Sequence, residues 1–165
     1  MKNVLILCTG NSARSVLGES LINELGKGRF RAYSAGSKPT GTPNPFAVEL
    51  LDSLGHDTSY IRSKSWDEFA TPDAPQMDYV ITVCSSAAGE TCPFWPGAPV
   101  SAHWGIPDPA GAGETDAENR AAFRTAYARM KQRVEAFLAL PLDSMTTAEQ
   151  KAALAKIGMD SEGAA

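Results

Sequence analysis

The chain has no long apolar run. No stretch approaches the roughly 20 consecutive apolar residues that a membrane-spanning helix needs, so no membrane partner is expected. An excess of positive charge is missing too: 15 Lys and Arg stand against 19 Asp and Glu, a formal net charge of −4. That balance leaves no electrostatic footprint for nucleic acid or an anionic membrane surface. Neither nucleotide-binding pattern is present, G-x-x-x-x-G-K-[ST] or G-x-G-x-x-G behind a strand. Met1-Lys2-Asn3 leads straight into an apolar segment without signal-peptide features, and a cytoplasmic protein is expected. Cysteine and histidine are scarce, at three and two residues. Three cysteines in a reducing compartment make a poor structural framework, and transient redox chemistry is the better expectation. A zinc site is disfavoured as well, because seven residues lie between Cys84 and Cys92 and only one histidine is nearby.

What is there begins with Cys8-Thr9-Gly10-Asn11-Ser12-Ala13-Arg14-Ser15, directly behind Val4-Leu5-Ile6-Leu7. Small residues at a strand end let successive backbone N–H groups of Thr9 to Ala13 turn inward as an anion-binding nest. A helix starting near Arg14 adds its N-terminal dipole. The planar guanidinium of Arg14 can grip two oxygens of a tetrahedral anion. The same positive field favours the thiolate of Cys8, lowering its pKa from about 8.5 towards about 4–7. One segment thus supplies a nucleophile and the seat for an oxyanion.

The rest of the chain alternates strands and helices. Val4–Leu7 reads as a strand, and Ser15 to about Leu25 as a helix with Val16, Leu17, Leu21, Ile22 and Leu25 on one face. Arg29–Ala35 is a second strand. Asn44 caps a helix with Pro45 at its first position, running to Leu54. Ser65–Phe69 suggests a short helix. Asp78–Val83 is a third strand and Val100–His103 a short fourth. Thr115-x-x-Glu118 opens a long helix to about Leu138, with Ala122, Ala126, Met130, Val134 and Phe137 on its apolar face. This order predicts an α/β fold: an open, mostly parallel four-stranded sheet flanked by helices. Residues 1–140 form one domain in this reading. Residues 141–165 are a short C-terminal helical extension rather than a second domain, started by the capping box Thr146-x-x-Glu149, ending near Gly158 and frayed from Asp160 onward. Ligands of such sheets bind beyond the carboxyl ends of the strands, where Cys8 and Cys84 both fall.

Cys84 and Cys92-Pro93 read best as a redox pair, because thiolate exchange needs close, mobile thiols. A helix over 84–92 would hold their Cα atoms about 12 Å apart. A disulfide needs about 4.4–6.8 Å, so the segment must loop out for the pair to close. Asp108, within Pro107-Asp108-Pro109, is a candidate general acid for a departing oxygen.

These residues resemble the low-molecular-weight protein tyrosine phosphatase family, and within it the arsenate reductases on the same fold. The likeness spans about residues 3–138. It rests on the Cys8–Ser15 loop, Ser34-Ala35-Gly36, Lys38-Pro39-Thr40-Gly41 with Asn44-Pro45, Arg62 to Phe69, Cys84…Cys92-Pro93, and His103-Trp104-Gly105…Asp108-Pro109-Ala110. The resemblance implies arsenate as substrate, Cys8 as nucleophile, Arg14 and the loop amides as its seat, and Asp108 as proton donor. Ser15 would donate a hydrogen bond to the Cys8 thiolate, and Asn11 would hold the loop from a left-handed conformation. Cys84 and Cys92 would then carry the oxidising equivalents away as successive disulfides. Relatives coupled to thioredoxin have six residues between the second and third cysteines; seven stand here, which leaves thioredoxin and glutathione with glutaredoxin both open as reductant. Some relatives hold potassium near the loop. Asn11, Glu19 and Ser34 match that site, but Arg62 and Lys64 occupy the other side-chain positions. No metal and no cofactor are expected, with Lys64 in position to neutralise Glu19. The alternative function is a phosphatase, against which Ala110-Gly111 follows Asp108-Pro109 where such phosphatases carry aromatics.

Overall fold

The computed structural model describes residues 1–83 and 99–163, with side chains as far as Met159. Chain order is β1 (Lys2–Leu7), α1 (Arg14–Leu25), β2 (Phe30–Ala35), α2 (Pro45–Ser53), a short 3-10 helix (Trp66–Phe69), β3 (Tyr79–Thr82), β4 (Val100–His103), α3 (Asp116–Leu138), a 3-10 turn (Leu142–Ser144) and α4 (Thr147–Gly163). The four strands form one sheet in the order β2-β1-β3-β4, and every pairing is parallel. The sheet winds outward from β1 to β2 and, in the other direction, from β3 to β4. The reversal falls between β1 and β3, and crevices at such reversals are where open α/β sheets bind ligands.

β1 is central because both of its faces are apolar. Val4, Leu5, Ile6 and Leu7 are all fully buried. Val4 and Ile6 pack into the larger core with Leu17, Leu21, Met130 and Phe137. Leu5 and Leu7 join Ala35, Phe69, Met77 and Val80 in a smaller cluster on the other face. Helix starts follow their caps. Asn44 Oδ1 accepts from the Phe46 N–H at 2.9 Å, with Pro45 in the first turn of α2. Thr115 Oγ1 accepts from the Glu118 N–H, while the Glu118 carboxylate reaches back to the Glu114 N–H, one residue before the cap. At α4 the Thr146–Glu149 box closes in both directions.

Two sequence expectations are corrected. Leu25 does not share the buried face of α1; it is 45% exposed. The helix has no single apolar stripe, since Ser15 to Ile22 are all buried. It lies between the sheet and the other helices, so even Ser15, Gly18, Glu19 and Ser20 face protein. Gly158 does not stop the last helix, which runs on through Gly163. A Cβ at position 158 would collide with the His103 carbonyl oxygen. This glycine therefore serves a close approach between elements and not a helix end.

The outer edge of β2 is closed by α1. Asn23 pairs with both backbone groups of Ala32: its Oδ1 accepts from the Ala32 N–H at 2.8 Å and its Nδ2 donates to the Ala32 carbonyl at 3.2 Å. Glu19, one turn earlier, accepts from the backbone N–H and the hydroxyl of Ser34. Beyond them, Gly36 exchanges hydrogen bonds with Lys64 and Trp66. Edge pairing with a second sheet is blocked along this line.

Candidate active site

The loop after β1 curls because its carbonyls are held from outside. Lys38 N–H donates to Thr9 O at 3.0 Å, Thr40 N–H to Gly10 O at 3.1 Å, and Asn44 N–H to Ser12 O at 2.8 Å. Ser63 Oγ gives Gly10 O a second bond at 3.0 Å. In a planar trans peptide the following N–H points the opposite way. The amides of Gly10, Asn11 and Ala13 are thereby turned to the inside of the loop. Gly36 makes room for the curl, since a Cβ there would run into the carbonyl oxygens of Cys8 and Thr9. Asn11 takes the left-handed conformation, with φ 45°, and is the only non-glycine residue with positive φ among those described.

α1 opens at Arg14 behind Ala13, with no side-chain cap and no acidic residue in its first turn. The amides that a Ser or Asp cap would normally occupy are left for an anion, and the helix dipole favours one. Cys8 is buried at the loop's first position. Arg14 spreads over three directions. Nη1 donates to Ile106 O at 3.1 Å, Nη2 lies 3.5 Å from Asp108 Oδ2, and the buried Nε meets no partner among the described residues. The Asp108 side chain is 52% exposed, and its Oδ1 accepts from the Ala110 N–H at 3.0 Å. Cys8, Thr9 to Ala13, Arg14, Ser15 and Asp108 are thus gathered at one end of the sheet. Cys84 and Cys92, with the looping-out expected of 84–92, lie outside the described residues.

A buried polar chain holds the loop from below. Asn11 Nδ2 donates to Ser15 Oγ at 2.8 Å and to Ser34 Oγ at 2.9 Å. Ser34 donates onward to Glu19 Oε1 at 2.7 Å, and Asn11 Oδ1 accepts from the Lys64 N–H at 2.9 Å. Burial pushes the Glu19 carboxyl up from 4.5 to about 7, against the pull of the Lys64 charge and the bonds from Ser34. Burial likewise lowers Lys64, with Glu19 acting in the opposite direction. The Lys64 ammonium donates to the Arg62 carbonyl at 3.1 Å. Lys64 thus works at a distance on Glu19, without a direct ion pair between them among the described contacts.

Sequence reasoning missed Ile106 entirely. Its contribution is a main-chain carbonyl, which no residue type advertises. It also gave no role to Ser63, Lys38 or Thr40, although all lie in segments that carried the family likeness.

The model for the low molecular weight phosphotyrosine protein phosphatases matches residues 3–151. The chain belongs to this family. Its curated relatives include the arsenate reductase of Halalkalibacterium halodurans, 36% identical over 136 residues, covering 82% of this chain and 94% of that one. The arsenate reductase of Bacillus subtilis is 35% identical over the same shares. Among solved structures, an arsenate reductase in its phosphate-binding state superposes with a TM-score of 0.69 at 28% identity, covering 84% of this chain and 98% of that one. The phosphatase-family fold is therefore shared over nearly the whole of these relatives. No helix among the described residues is long and apolar enough to cross a membrane.

Proposed function

We propose that this family member reduces arsenate to arsenite by a three-thiol relay. The observation that carries the reading is the pairing of two strand ends. Val83, the residue before Cys84, donates its N–H to the carbonyl of Leu7, the residue before Cys8, at 2.9 Å. A phosphatase needs no second thiol following the strand beside its nucleophile, whereas a reductase needs one to receive oxidising equivalents.

Arsenate sits on the inward amides of the loop and on Nε and Nη2 of Arg14. The Cys8 thiolate attacks arsenic, and Asp108, beside Nη2, protonates the oxygen that leaves as water. Ser15 accepts from Asn11, which frees its own proton for the Cys8 sulfur. Cys84 then attacks Cys8 Sγ. The S–As bond breaks with its electron pair going to arsenic, As(V) becomes As(III), and arsenite departs. A Cys8–Cys84 disulfide remains. Cys92 attacks Cys84, releases the Cys8 thiolate and leaves a Cys84–Cys92 disulfide, which thioredoxin or glutathione with glutaredoxin reduces. Reactive thiols of this kind require a reducing compartment, the cytoplasm. The scheme uses no resident metal or cofactor, and the Lys64 ammonium supplies the positive charge near Glu19.

The test is a single turnover. Fully reduced wild type is mixed with arsenate without external reductant, and arsenite is measured alongside the protein's disulfides. One equivalent of arsenite is expected from wild type and none from Cys84→Ser. Aryl phosphate hydrolysis undiminished in Cys84→Ser, with no arsenite from wild type, would replace the reading with a phosphatase.

A further inference from the structure

We infer that α4, the C-terminal helix, is a positioning element for the active-site acid and arginine. The inference rests on the proposed function only in taking Arg14 and Asp108 as the groups that handle the oxyanion. The family match stops at residue 151, yet the decisive contacts of α4 come from Leu154, Ile157 and Gly158. Leu154 and Ile157 belong to the main core with Trp104 and Ile106. The Trp104 indole Nε1–H donates to the Leu154 carbonyl at 2.9 Å, and the tryptophan is fully buried. Gly158 brings the helix backbone against His103 O, an approach that any side chain would forbid.

The segment these contacts hold leads directly into the site. Trp104 N–H donates to Thr82 O at 2.7 Å and Ile106 N–H to Val83 O at 3.3 Å. The carbonyl of the same Ile106 receives Arg14 Nη1. Two residues further on, Asp108 meets Arg14 Nη2. Pro107 and Pro109 flank the acid, and their fixed φ, with the restriction each places on the residue before it, leaves little slack to absorb a shift at Trp104. A displacement at the helix contact therefore passes to Ile106 O and to the Asp108 carboxylate. Misplacing a reacting group by about 1 Å can cost on the order of 10²-fold in rate.

Gly158→Ala forces α4 away from His103. Trp104→Phe removes the N–H to Leu154 O and part of the ring volume while leaving an aromatic ring in the core, so it serves where the first variant folds poorly. Each is measured alone and with Asp108→Asn, as the single-turnover rate of arsenite release well below the melting temperature. Asp108→Asn alone is expected to slow release by about 10²-fold or more, as loss of a general acid does. Either helix-contact variant alone is expected to slow it about 10-fold or more, and in the Asp108→Asn background the same variant is expected to slow it by a clearly smaller factor, because the share of the helix effect that acts through the acid is already lost and only the share acting through Arg14 remains. Multiplying losses in the double variants would overturn the inference and leave α4 as support for stability only. If wild type releases no arsenite, the relay reading has failed instead; the same cycle is then run on aryl phosphate hydrolysis, where the same two outcomes decide.

Discussion

Glu19 is a buried carboxyl in the hydrogen-bond chain beneath the candidate site. Its carboxyl is buried and held at about 7, against 4.5 ordinarily. A folded-state value above the unfolded one means that the native protein binds the proton more tightly than the unfolded chain. The stabilisation this gives is full below pH 4.5 and is lost as pH rises through about 7. The shift corresponds to roughly 3 kcal/mol as an upper figure. Glu19→Gln removes the titration while keeping an acceptor for Ser34. Urea unfolding of the two proteins is expected to show the variant gaining on wild type, by a few kcal/mol at most, between pH 5 and pH 8. A difference that does not change with pH contradicts this. Asn11 and Ser34 connect Glu19 to the loop through hydrogen bonds of 2.9 and 2.7 Å. The Asn side chain and the left-handed backbone it tolerates serve one purpose here: the amide must reach Ser15 and Ser34 together.

At the scale of elements, α1 performs three tasks, which is why nearly its whole surface is buried. Its uncapped N-terminus faces the loop, its apolar side chains fill the core, and Glu19 and Asn23 close the edge of β2. Removing Asn23 leaves the backbone N–H and carbonyl of Ala32 without their partners. Asn23→Ala is expected to cost about 1–3 kcal/mol in denaturant unfolding. A change under a few tenths of a kcal/mol would show that water replaces the side chain at no cost. Val16, Leu17, Leu21, Ile22 and Leu25 spell an amphipathic stripe in the sequence, but a helix enclosed by sheet and helices has no polar face to show, and its last turn, with Leu25, reaches solvent.

For the whole molecule, α4 is joined to the core and to the site at once. Ending the chain at residue 145 removes Leu154 and Ile157 from the core and strips the Trp104 indole of its acceptor. Two buried aliphatic side chains at about 1.5–3 kcal/mol each make a loss of several kcal/mol. For a chain of 165 residues the melting temperature is expected to fall by roughly 10 °C or more, measured by circular dichroism. An unchanged melting temperature would mean that the extension only rests on the domain. Much of this architecture is legible in the chain itself. The strand run before Cys8, the caps at Asn44, Thr115 and Thr146, and the small residues of the loop are local signals, and local sterics and hydrogen bonding act within a few residues. They determine the order of elements, the parallel sheet and the position of the Cys8–Arg14 cradle at a strand end. Tertiary structure alone decides what depends on contacts between distant segments. It brings Ile106 O and Asp108 to Arg14, sets Val83 beside Leu7, buries Glu19 near Lys64, and turns Gly158 from an apparent helix stop into the seat of α4 on His103. Backbone carbonyls, burial and close approach have no residue type of their own, so no reading of one segment could have found them.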